Sequence, residues 1–145
     1  MKVLIGIEDS EFSYQAARFV ARRPWPAGTE VRLVSVVEVH GVAGYSEMDE
    51  NNVYQHARQA IDQAVAILQA SPNTFTLSTE IVEGNPKHVL LDEAESWGAD
   101  LIVVGSHGRR GLQRFLLGSV SQAVALHAPC SVEIVRTSHV QQELS

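Results

Sequence analysis

The chemistry of this sequence concentrates in one segment, Val104-Gly105-Ser106-His107-Gly108-Arg109-Arg110-Gly111-Leu112-Gln113-Arg114-Phe115-Leu116-Leu117-Gly118-Ser119. Gly105 and Gly108 permit positive φ and a close approach of backbone to a ligand. Arg109, Arg110 and Arg114 bring three positive charges with no acid between them. Gly118, Ser119, Val120 and Ser121 then supply backbone N–H groups and two hydroxyls where the pattern predicts a helix to begin. Unpaired donors and the helix dipole make such a terminus attractive to anions. The residue types therefore support an anionic ligand, most simply a phosphate chain. A plain glycine turn with solvated arginines is the competing reading, and on these residues alone the two are balanced. No Gly-Lys-Ser/Thr follows the glycines, and Gly-x-Gly-x-x-Gly is missing, so neither a Walker-type loop nor a dinucleotide fingerprint is present.

His107 could touch a phosphate or carry a proton; a structural role, donating to a nearby backbone carbonyl, is the simpler expectation. The other histidines show no zinc-type spacing, so no structural metal is predicted. Ser10, Ser13, Ser106, Ser119 and Ser121 read as caps and phosphate donors, because no Gly-x-Ser-x-Gly elbow occurs. Cys130 reads as a small buried residue rather than a reactive thiol.

The elements around this segment follow from hydrophobic period. Residues 3–7 and 31–37 are β-rich without alternation, as strands buried on both faces are. Ser10 offers an N-cap to a helix carrying Phe12, Ala16, Phe19 and Val20 on one stripe and stopping before Pro24. Residues 39–50 read as a mobile surface loop, followed by a long helix with Val53, Ala57, Ala60, Ile61, Ala64, Val65 and Leu68 on one face. Residues 75–82 alternate as a half-exposed edge strand would. Gly84-Asn85-Pro86 supplies a turn, an N-cap and a first-turn proline for a helix that Gly98 ends. Residues 101–104 form a fourth strand, 119–127 a short helix and 131–135 a fifth strand. The alternation of strands and helices implies an open parallel sheet with helices on both faces. In such sheets ligands bind outside the carboxyl ends of the strands, where the strand order reverses. The segment after the fourth strand leaves such an end, as does Glu8-Asp9-Ser10-Glu11 after the first.

With 145 residues, 11 basic and 17 acidic side chains, the formal charge is 11 − 17 = −6. The length fits one domain, assigned to residues 1–136 with a polar tail over 137–145. The acidic balance argues against nucleic acid or a membrane surface as partner. No apolar run approaches the roughly 18 residues of a membrane span. Acids at Glu8 and Asp9 come too early for a signal peptide, and one cysteine excludes an intrachain disulfide, so a cytoplasmic location is expected.

Gly105, two residues, Gly108, nine residues, then Gly118-Ser119 resembles the ATP-binding signature of the universal stress protein family. The resemblance extends over nearly the whole chain. It includes the opening Val3-Leu4-Ile5-Gly6-Ile7-Glu8-Asp9-Ser10-Glu11, the turn Gly84-Asn85-Pro86, the stretch from Ala99 to Gly108, Leu117-Gly118-Ser119-Val120-Ser121 and Ala128-Pro129-Cys130. It implies a Rossmann-like sheet of order 3-2-1-4-5 and a homodimer paired through the last strand, at Val132 and Ile134. It further implies an adenine nucleotide, ATP, held by Gly105, Gly108, Gly118, Ser119, Val120 and Ser121, with Mg²⁺ able to arrive on the phosphates. Val36 and Val104 would flank the adenine, with Gly6 and Ile7 on its other side. Glu8 stands where related binders commonly carry an Asp that meets adenine or ribose; Asp9 next door could substitute, although by alignment it takes a position often occupied by glycine or an aromatic. Glu133 interrupts the apolar pattern of the last strand, and would either face solvent or weaken the dimer by like-charge repulsion.

The leading expectation is a nucleotide-binding stress-response sensor or regulator. A slow ATPase is the second, since arginines could stabilise transferring charge although no positioned base stands out beyond Glu8, Asp9 or His107. A dimeric interaction module that binds no nucleotide is the third.

Overall fold

The computed structural model describes residues 1–38, 47–107 and 117–136. Its elements run β1 (Lys2–Gly6), α1 (Glu11–Arg22), β2 (Glu30–Val37), α2 (Glu47–Gln69), β3 (Thr76–Glu83), α3 (Pro86–Trp97), β4 (Leu101–Gly105), α4 (Ser119–His127) and β5 (Ser131–Val135). Every strand pair is parallel and the sheet order is β3-β2-β1-β4-β5. This is the expected α/β class and the expected order.

Local signals account for most boundaries. The Ser10 hydroxyl caps α1 by accepting from the Ser13 N–H at 3.3 Å, and α1 ends before Pro24. Asn85 accepts from the Lys87 N–H at 3.0 Å with Pro86 behind it, and Gly98 closes α3 in the left-handed conformation at φ 75°. One boundary differs. Helix α2 begins at Glu47, inside the stretch expected to be loop. Glu47, Asp49 and Glu50 made that stretch look like a solvated connection, yet acids are the side chains a helix N-terminus favours. Residues 39–46 and the tail 137–145 lie outside the described residues.

Strand alternation splits the core into two layers. Val3, Ile5, Val31, Leu33, Leu101 and Val103 pack with α1 and α2, while Leu4, Val34, Ile102 and Val104 pack with α3 and α4. Trp25 and Trp97 pack against one layer each, as expected of plugs. Cys130 is partly buried against the second layer, and burial pushes its thiol pKa up, with Asp100 adding to the rise.

Two charged contacts tie helices to the sheet. Arg23, just past α1, pairs with Glu133 of β5, so this carboxylate is neutralised within its own chain rather than standing alone at the edge. On the other face Arg32 of β2 reaches Glu93 of α3 at 3.5 Å and Glu80 of β3 at 3.8 Å, with its guanidinium 4.6 Å from the Trp97 ring centre. Burial, then the adjoining Glu80 carboxylate, raises the Glu93 pKa, and Arg32 offsets only part of this. A carboxyl raised in the folded state resists ionising there while the unfolded chain ionises freely. Its cost is absent below the ordinary carboxylate range and grows as pH rises through the folded-state value. Glu93→Gln is therefore expected to raise the urea midpoint at pH 8, with the gain closing by pH 4; an equal gain at both would contradict this account.

Candidate functional site

Strand β1 lies between β2 and β4, so the chain order reverses at the β1–β4 pair, and the carboxyl ends there leave a crevice. A cleft of about 790 Å³ opens at that place. Its wall holds Gly6, Ile7 and Glu8 at the end of β1, Val36 near the end of β2, Val104, Gly105 and His107 at the end of β4, and Gly118, Ser119, Val120 and Ser121 at the start of α4. These expected site residues, drawn from four separate elements, meet in one cavity. Gly108 and Arg109, with Arg110 and Arg114, lie outside the described residues. Ser13, Val34, Glu38, Pro86 and Leu90 also line the cleft and were not anticipated. Glu38 had a readable signal, since it directly follows the last residue of β2 at the carboxyl edge. Pro86 and Leu90 did not, because only the packing of α3 against β1 brings them there.

The floor beside β4 is rich in donors. Gly118 precedes α4 with extended backbone, φ −64° and ψ 161°, and no side chain caps the helix. This contrasts with α1 and α3, whose first turns are closed by Ser10 and Asn85. The Gly118 N–H donates to the Ser106 carbonyl at 2.7 Å, which fixes the helix start against the end of β4. Ser121 is buried, and its hydroxyl proton is shared between the carbonyls of Ser106 at 3.0 Å and Gly118 at 2.9 Å. Here the Ser121 hydroxyl braces the turn through these two carbonyls. Ser119 is exposed beside the first-turn N–H groups of α4.

His107 also differs from its expected role. Its Nδ1 lies 3.1 Å from the Ser106 hydroxyl and its ring packs 5.2 Å from the Phe12 ring centre. The Nε2 atom is buried and has no hydrogen-bond partner. No backbone carbonyl satisfies it, so a polar atom that is costly to leave unpaired lies buried in a residue that lines the cleft.

Gly105 is required for another reason than the one its motif suggests. Its φ is not positive. A Cβ on it would lie 2.6 Å from the carbonyl oxygen and 2.7 Å from the carbonyl carbon of Phe12. The end of β4 thus rests directly on the backbone of the first turn of α1. Gly6 is tight toward α3, where a Cβ would stand 3.0 Å from Leu90 Cδ1.

At the β1 side the Ser10 hydroxyl donates to Glu8 Oε1 at 3.3 Å, and the Glu8 N–H donates to the Ser13 hydroxyl at 3.0 Å. Asp9 turns the other way and accepts from the Tyr14 hydroxyl at 3.1 Å. Burial and this carboxylate push the Tyr14 pKa up to about 12. Asp9 is committed to α1 and is not among the described residues lining the cleft, so Glu8 is the carboxylate that β1 presents. No described group of His, Cys, Asp and Glu is placed to hold a metal by itself. No described helix is long and apolar enough to cross a membrane.

Known proteins share this fold. The chain is 30% identical over 140 residues to universal stress protein MJ0531 of Methanocaldococcus jannaschii, covering 93% of this chain and 81% of that one. The solved structure of the protein MJ0577 superposes with a TM-score of 0.84 at 26% identity, covering 95% and 96% of the two chains. A universal stress protein solved in complex with cAMP superposes at 0.65 and 26% identity, covering 95% and 98%. The model of the universal stress protein family matches residues 1–136. The family match and the superposed fold agree, and the chain belongs to the universal stress protein family.

Proposed function

We propose that this chain binds an adenine nucleotide, ATP foremost, in the cleft between the ends of β1 and β4, and that occupancy makes it a stress-response sensor or regulator. The observation that carries the reading is the first turn of α4, which no side chain caps and which opens with the exposed Ser119 into the cleft. An anionic oxygen placed there would accept from the first-turn N–H groups and the Ser119 hydroxyl. Support for adenine comes from the cAMP-bound relative and from the apolar wall of Val34, Val36, Pro86, Leu90 and Val104, suited to a flat heterocycle. Mg²⁺, where it accompanies ATP, would be held by phosphate oxygens and water.

The unit that does this is a single domain over residues 1–136, working in the cytoplasm. The unpaired side of β5, at Val132 and Ile134, is the edge proposed to join two copies. The Arg23–Glu133 pair supports this by removing the uncompensated charge from the edge. Calorimetric titration of nucleotide-stripped protein with ATP and Mg²⁺ tests the reading. Saturation near one ATP per chain is expected; no binding at millimolar ATP, by calorimetry and by a thermal-shift assay, would refute it.

A further inference from the structure

The sheet has two edges, and their charges differ. Each edge strand has a neighbour on one side and no described strand on the other. At the β3 edge Glu80 shares Arg32 with Glu93, so two carboxylates face one guanidinium, and Glu83 adds an exposed acid at the strand end. An edge strand that keeps an uncompensated charge resists pairing with another chain. The β5 edge is different. Glu133 is the one charged residue within Ser131–Val135, and Arg23 pairs with it. The Arg23 guanidinium lies 4.9 Å from the Trp25 ring centre and 5.8 Å from that of Phe19, and these rings hold it beside the strand. On the opposite face of β5, Val132 and Ile134 are only partly buried against the second core layer.

We infer that Arg23 is the residue that lets the β5 edge take a second copy of this chain, by neutralising the carboxylate at the centre of the interface. The inference rests on the proposed joining of two copies and names what makes it possible. Two copies related by a two-fold axis perpendicular to the sheet meet with their β5 strands antiparallel. Residues of the same face then stand opposite one another. One register pairs all five, 131 with 135, 132 with 134, and 133 with its own equivalent. Val132 of each copy meets Ile134 of the other, which covers these partly exposed side chains. On the other face Glu133 of one copy stands opposite Glu133 of the other, about 5 Å away at Cβ, where like charges oppose pairing. With an Arg23 beside each, the four groups form an alternating cluster of two carboxylates and two guanidinium groups with no net charge. Arg23 belongs to the same copy as the carboxylate it neutralises, so the compensation is in place before the copies meet.

Sedimentation equilibrium of the full-length protein at pH 8 and low salt tests this, in the parent, in Arg23→Gln and in the double variant Arg23→Gln/Glu133→Gln. The two side chains are 44% and 30% exposed, so the variants should fold, which the urea midpoint checks. The parent should be dimeric. Arg23→Gln leaves the two facing carboxylates uncompensated and should raise the dimer dissociation constant roughly tenfold. The double variant has no carboxylate to compensate and should return it to within about threefold of the parent. Arg18→Gln is the control for net charge, since Arg18 pairs with Glu11 of its own helix at 2.7 Å; its dimer should match the parent's. A dimer unchanged by Arg23→Gln, or weakened as much by the double variant or by Arg18→Gln, would overturn the role of Arg23 and leave the dimer standing. A parent that stays monomeric at the highest concentration reached would overturn the joining of two copies with it, and leave the nucleotide titration to stand on its own result.

Discussion

Gly105→Ala should lower the stability of the ligand-free protein by about 2–3 kcal/mol, seen as a shifted urea midpoint and a melting temperature reduced by on the order of 8 °C. The added methyl would stand 2.6 Å and 2.7 Å from the carbonyl oxygen and carbon of Phe12. Those atoms belong to the backbone of α1, and cannot rotate away as a flexible side chain would. The helix is itself held by the Ser10 cap and by buried Ala16, Ala17 and Val20, so the strain falls on the packing of α1 against β4. A glycine kept only for close approach of a ligand would give the opposite result: unchanged stability without nucleotide, and a loss confined to binding. An unshifted urea midpoint in the ligand-free variant would reject the packing account.

That contrast shows what could be read from the sequence and what could not. The strands were legible because continuous β-rich runs such as residues 3–5 and 101–104 have to be covered on both sides, and helices supply the covers. The caps at Ser10, Asn85 and Gly98 were legible because each residue type meets a local backbone need. The site was legible as a set of loops, since a switch point in a parallel sheet collects the carboxyl ends of its strands. What the sequence does not carry is which atom each residue spends on its neighbours. Gly105 contacts Phe12, Ser121 gives its proton to two carbonyls and Asp9 turns to Tyr14. Each contact crosses between elements and depends on how they pack. The start of α2 was hidden differently. Acidic residues suit both an exposed loop and a first helical turn, and composition cannot separate the two.

Gly118→Val is expected to act in the reverse sense to Gly105→Ala, leaving the fold nearly intact and reducing ATP affinity by at least roughly thirtyfold. The backbone at Gly118 is extended, at φ −64° and ψ 161°, a conformation valine adopts readily. Its N–H bond to the Ser106 carbonyl and its carbonyl bonds to Gln122 and Ser121 involve main-chain atoms that the substitution retains. A residue at this position directs its side chain over the first-turn N–H groups, which is how serine or asparagine caps a helix. Valine would put methyl groups in that space, where they accept nothing and exclude an anion. Loss of the glycine as a cap costs about 1 kcal/mol at most, small enough for the variant to be titrated in its folded form. ATP and Mg²⁺ titrated into parent and variant, with adenosine as a second ligand, separate the contributions. ATP affinity should fall much further than adenosine affinity, because the nucleoside makes no demand on the start of α4. Equal losses for both would place the obstruction at the base or the sugar, and unchanged ATP affinity in a folded variant would remove α4 from the phosphate site.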